Sequence, residues 1–218
     1  GIASVASVFV SRIDSLIDAQ LGNIGTPEAL ALKGKAAIAN TKLTYQLFKT
    51  AFSGQRWERL AEHGAQLQRP LWASTSVKNP VFPDLLYVDN LIGPHTVNTV
   101  PPETLVAIMD HAVVKPAIEV GIQESEATLR QLTEAGINIP AVMDQLLDEG
   151  VEKGVERGLA QSILTVLSAR GLTLSDAERE KVLTCSDTKK LQRWLRRSVT
   201  ARTVAAVFKP GLKKRRAH

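Results

Sequence analysis

The chain opens on IASVASVFV (Ile2 to Val10), small and β-branched residues with no charge, which reads as a buried strand. The period then changes. Ile13, Leu16, Ile17 and Leu21 recur at helical spacing. After GTPE a second helix starts with Thr26 as N-cap, Pro27 at the first helical position and Glu28 in the first turn. It is expected to run towards Phe52, although Gly34 weakens its middle. A short helix in SGQRWERLAEHGA, a strand in RPLWAST and a loop in SVKNPVFPD, enforced by Pro80 and Pro83, follow. LLYVDNLIG reads as a second buried strand after that loop, PHTVNTVP as its loop, and PPETLVAIMDHA as a helix with proline in its first turn. Two further amphipathic helices flank GINIP. Strands alternating with helices of about ten residues or more predict a parallel α/β sheet with strands buried on both faces.

From about Val151 the pattern is helical throughout. GVEKGVERGLAQSILTVLSARGL predicts one amphipathic helix. Ser175 and Glu178 form the capping box of a second, and Asp187 starts a third that extends through SDTKKLQRWLRRSVTARTVAAVF. KPGLKKRRAH reads as a basic, frayed tail. Charge follows the same division. Residues 1–150 hold 11 Lys/Arg against 16 Asp/Glu, and residues 151–218 hold 16 against 6. The overall +5 therefore hides a net −5 followed by a net +10, and two modules are expected, 1–150 and 151–218.

With 218 residues, 44% hydrophobic and 22% charged, the chain has the composition of a globular protein able to bury a core. No apolar run approaches the ~18 residues of a membrane span, and no leader pattern is evident. The lone Cys185 excludes an internal disulfide and fits a reducing, cytoplasmic setting. A chain that begins with Gly1 inside an apolar strand looks like a piece of something longer. His63, His95, His111 and His218 lack metal-ligand spacing, and no phosphate-cradling glycine loop, dinucleotide fingerprint or nucleophile elbow occurs, so no metal or cofactor is expected.

Lysines are the remaining candidates for chemistry. Lys78, just beyond RPLWASTS, has three readings open from its position alone: covalent nucleophile, phosphate ligand or surface charge. Lys33, Lys35, Lys42 and Lys49 fall on an amphipathic helix, where a solvated face is expected. Lys115, in VVKPA, is followed by a proline that argues against a central strand.

SVASVFVSRID, IGTPEALALKGKAAIANTKLTYQLF, RPLWASTSVKNP, LYVDNLIGPHTVNTVPPETL and AGINI…LLDEGVEK, in that order over roughly residues 1–153, resemble the transaldolase family. The resemblance implies the C-terminal portion of a (β/α)8 TIM barrel, about three parallel strands with helices. It also implies transfer of a dihydroxyacetone unit between sugar phosphates of the pentose phosphate pathway, through a lysine Schiff base. The family's Schiff-base lysine lies on a strand preceding the one that SVASVFVSRI resembles, in an apolar-Lys-Ile-Pro-Ala-Thr pattern that does not occur in this sequence. No catalytic residue is therefore assigned, and the chain on its own is expected to be inactive. The positions resembling the family's substrate-phosphate ligands are Arg12, Lys78 and Ser76, with Ser7 and Phe9 preceding Arg12 at the strand end. Cations and hydroxyls at the ends of late barrel strands suit a phosphate, lysine acting as a point charge. The plain alternative for Arg12 is a local ion pair with Asp14. The implied partners are sedoheptulose 7-phosphate, fructose 6-phosphate, glyceraldehyde 3-phosphate and erythrose 4-phosphate.

The segment after GVEK is similar to the helical tail of transposase and recombination-promoting nuclease proteins, without a nuclease metal site. The charge step and the change of texture lead to the expectation of a gene-level fusion or a frameshift near Gly150–Gly158. Lys189, Lys190, Arg193, Arg196 and Arg197 leave Leu191, Trp194 and Leu195 for an apolar face. That basic face reads first as the solvated side of a small helical bundle. The alternative function is a non-catalytic interaction module that touches nucleic acid electrostatically.

Overall fold

A computed structural model describes residues 3–209. The chain divides into two compact units, one through Leu146 and one from Leu147.

In the first unit β1 (Ser4–Phe9) runs directly into α1 (Val10–Ile24), which ends at Gly25 in the left-handed conformation. Thr26 caps α2 (Pro27–Leu30), accepting the Ala29 N–H. The single helix expected from here to Phe52 is broken: residues 31–35 turn, and α3 spans Ala36–Ala51. The break has a physical cause. Gly34 takes φ 73°, and a Cβ there would lie 2.8 Å from the Phe82 ring. Two carboxylates of α1 hold the new helix start, Asp18 accepting the Gly34 N–H at 3.0 Å and Asp14 the Ala37 N–H at 2.8 Å. Next come α4 (Gly54–Glu62), β2 (Gln68–Ala73), α5 (Leu86–Asn90), β3 (Val97–Asn98), α6 (Pro102–His111) and α7 (Ile122–Glu134).

The sheet is parallel, in the order β1-β2-β3. Its third strand is not the one expected. LLYVDNLIG contains the short helix α5, with Leu85, Tyr87, Val88 and Leu91 buried, and the strand lies in PHTVNTVP, the stretch read as a loop. A short apolar run does not by itself distinguish strand from helix. β1 also departs from the expected two-sided burial. Val8 packs on the core, whereas Val5, Ser7 and Phe9 share the opposite, exposed face of this edge strand. One core fills the unit, from Val10, Ile13, Ile17 and Leu21 of α1 to Tyr45, Trp72, Tyr87, Leu91, Ile118 and Leu132. The Trp72 indole N–H donates to the Leu91 carbonyl at 3.1 Å.

Helix α8 runs from Ile139 to Ala169, so the segment expected to begin a helix at Gly150 continues one already eleven residues old. Gly150, Gly154 and Gly158 do not interrupt it, and nothing beyond the helix's own nearby backbone lies within 4 Å of where their Cβ atoms would be. The second unit continues with α9 (Asp176–Leu183), α10 (Thr188–Thr200) and α11 (Val204–Phe208). The long last helix expected from Asp187 is thus two, split at residues 201–203. Ile163, Leu167, Val182, Leu191, Trp194 and Val207 form a separate core, with Phe208 edge-on to Trp194. The terminal KKRR and His218 lie outside the described residues. Among those residues no helix is long and apolar enough to cross a membrane.

Candidate functional site

The parallel register sets the geometry of the site. Phe9 pairs with Ala73 and Trp72 with Asn98, so all three strands end side by side. Side chains just beyond those ends knit them together. The Ser11 N–H donates to the Ser74 carbonyl at 3.0 Å, and the Ser11 and Ser74 hydroxyls share a 2.8 Å hydrogen bond. Ser74 adopts φ 57°, a left-handed conformation that costs roughly 1–2 kcal/mol in a residue with a Cβ. The Thr75 hydroxyl donates to Asn98 Oδ1 at 2.8 Å, and the Thr99 N–H to the Trp72 carbonyl at 3.0 Å. These bonds hold a platform of hydroxyls across the C-terminal edge of the sheet.

The expected ligands lie in β1 or shortly after the ends of β1 and β2. Lys78 is exposed, and its Nζ donates to Ser76 Oγ at 2.7 Å. Arg12, in the first turn of α1, places its guanidinium carbon 4.4 Å from the centroid of the Phe9 ring, which is 43% exposed. A cation over an aromatic face gains about 0.5–1 kcal/mol at such an exposed position, enough to bias the guanidinium's orientation. Ser7 lies two residues before Phe9 on the same open face of β1. The ion pair weighed for Arg12 is not formed: Asp14 is buried and turns inward, accepting the Ala37 N–H and the Tyr87 hydroxyl, each at 2.8 Å. Arg12 and the Ser76–Lys78 pair thus follow neighbouring strand ends, and Ser11 and Ser74 link the two segments directly.

Pattern reading missed Ser11, Ser74, Thr75 and Asn98. The run ASTS after β2 carried the only signal, since small hydroxylated residues at a strand end suit bonds to adjacent strands. Asp14 was missed as a buried group. Burial raises its pKa to about 6, against the Ala37 N–H and Tyr87 hydroxyl bonds, which lower it; nearby Asp18 adds to the rise. The same pair pushes the Tyr87 hydroxyl upward, burial first and the Asp14 charge second.

Lys42 corrects the expectation of a solvated helix face. It is only 7% exposed, and its Nζ donates to the Val120 carbonyl at 2.7 Å; burial lowers its pKa, opposed by Glu124. Lys49 pairs with Glu119 at the surface. His111 sits between Asp84 and Asp110, 3.1 Å from each, and these carboxylates raise its pKa. Among the described residues no group of three or more His, Cys, Asp or Glu is placed to hold a metal ion.

A parallel α/β sheet with polar side chains gathered at the C-terminal strand ends defines an α/β protein of the class in which ligands meet the chain at that edge, a geometry consistent with part of a TIM barrel. Comparison with known proteins sharpens the class. Residues 1–157 match the family described as Transaldolase/Fructose-6-phosphate aldolase, and the chain belongs to that family. It is 54% identical over 146 residues to a transaldolase of Parafrankia sp. (strain EAN1pec), covering 66% of this chain and 40% of the relative. Transaldolase 1 of Streptomyces avermitilis is 50% identical over 149 residues, covering 68% and 39%. A transaldolase of Thiobacillus denitrificans is 47% identical over 145 residues, covering 66% and 40%. The chain thus spans about 40% of the length of these curated relatives.

Proposed function

We propose that this chain carries the phosphate-binding side of a transaldolase-type sugar-phosphate site, formed by the last strands of a (β/α)8 barrel. Arg12 and Lys78 supply the positive charge. Ser76 and Ser7 supply hydroxyl donors, and Phe9 forms a wall of the pocket. The observation that carries the reading is the pairing of Lys78 Nζ with Ser76 Oγ at 2.7 Å beside the strand end that presents Arg12. A phosphate oxygen accepts from both cations, and bonds to charged groups are worth about 1.5–3 kcal/mol each. The substrates are sedoheptulose 7-phosphate, fructose 6-phosphate, glyceraldehyde 3-phosphate and erythrose 4-phosphate. The setting is the pentose phosphate pathway in the cytoplasm, with transferase chemistry in relatives that contain the Schiff-base strand. The helices α9 to α11 lie outside this function.

Thermal unfolding with and without fructose 6-phosphate tests the proposal. The ligand raises the wild-type midpoint, and Arg12→Ala and Lys78→Ala each weaken affinity by roughly 10- to 100-fold, as loss of one charge-assisted contact requires. Equal protection of wild type and both variants contradicts it.

A further inference from the structure

Helix α10 divides sharply by charge. At about 100° per residue, Lys189, Lys190, Arg193, Arg196 and Arg197 occupy an arc of about 120°, and Leu191, Trp194, Leu195 and Ser198 occupy the opposite side. The opposite side is where the second core lies, with Leu191, Trp194 and Ser198 buried. Lys189, Arg193 and Arg196 are exposed. Lys190 leans over the Trp194 ring at 5.0 Å, and Arg197 donates to the Lys209 carbonyl. Among the described residues no ion pair engages any of these five cations. The unit's acidic residues lie on α8, on α9 and at the N-cap of α10, where Asp187 accepts the Lys190 N–H.

We propose that this face of α10 docks on the phosphate backbone of duplex DNA. The arc runs from residue 189 to residue 197, about 12 Å along the helix axis, and so faces three or four successive phosphates of one strand at ~3.4 Å each. A membrane surface fits less well. Interfacial helices bury aromatic and aliphatic residues on the lipid side, whereas Trp194 and Leu191 here are committed to the protein core. A cationic face on a helix fits beside the wide major groove of B-form DNA, and the narrow major groove of A-form RNA does not admit it. Contacts to phosphates carry no base information, so binding is expected to be insensitive to sequence and steeply dependent on salt.

The test is fluorescence anisotropy of a labelled mixed-sequence DNA duplex with the full chain across a salt series, comparing wild type with a Lys189→Gln/Arg193→Gln/Arg196→Gln variant. These side chains are exposed and none makes a hydrogen bond that holds the fold, so circular dichroism of the variant should match wild type. The single Arg193→Gln variant serves as a second, milder probe. The expected result is low-salt binding that the triple variant weakens by about tenfold or more, with the log–log salt slope falling by about 2 to 3 and the single variant in between. Three outcomes overturn the proposal: no binding at low salt; equal binding by wild type and triple variant; or tighter binding, at equal charge concentration, to an RNA duplex, polyglutamate or phosphatidylserine vesicles than to DNA.

Discussion

Asp14 joins the start of α3 to the end of the core. Its two oxygens accept from the Ala37 N–H and the Tyr87 hydroxyl, and burial holds its pKa at about 6. An acid whose folded pKa lies above its unfolded value binds more protons when folded. The stability it contributes is therefore fully present below the unfolded pKa and is lost as pH rises through the folded one. With an ordinary value of 3.8 and a folded value of about 6, that window lies between those two pH values. Ionisation should cost the fold up to about 3 kcal/mol across it. The urea midpoint of wild type relative to Asp14→Asn is predicted to fall as pH rises through the window; a constant difference contradicts this. Residues of this kind were the least legible in the sequence. Lys42 shows why: it sits at an ordinary position on an amphipathic helix, yet it is buried and donates to the Val120 carbonyl from 78 residues away. Lys78 and Ser76 were legible because both belong to one short segment directly after a strand.

Elements followed local signals wherever those signals were self-contained. The Ser175 capping box is present: the Ser175 hydroxyl accepts the Glu178 N–H, while the Glu178 carboxylate accepts the Ser175 N–H at 2.9 Å. Ser175→Ala is predicted to cost about 1 kcal/mol and to speed amide exchange in the first turn of α9. Unchanged exchange at Glu178 would show the box contributes nothing. Thr26 and Asp187 act as N-caps, as their positions indicate. Failures came where tertiary contacts decide. Asp14 and Asp18, one turn apart on α1, reach across to start α3 at Ala36, so the helix that pattern reading continues through Gly34 cannot do so. Likewise α5 is a helix that brings Tyr87 and Leu91, four residues apart, onto the core shared with α1 and α3. β3 pairs over only Val97 and Asn98, too short for a periodic signal.

Across the whole molecule, the three strands and the proposed phosphate ligands lie in the first unit, and the basic helix α10 lies in the second. The change in charge near residue 150 was plain in the sequence, whereas the continuity of α8 through it was not, because the glycines at 150, 154 and 158 resemble a linker. The proposed account is a division of labour in which Arg12 and Lys78 grip phosphate and no lysine of the chain forms the Schiff base of the family reaction. Borohydride reduction in the presence of fructose 6-phosphate, followed by intact-mass and peptide analysis, tests this most directly. An unmodified chain is the predicted result. A reduced three- or six-carbon adduct on any lysine, Lys78 above all, contradicts the account.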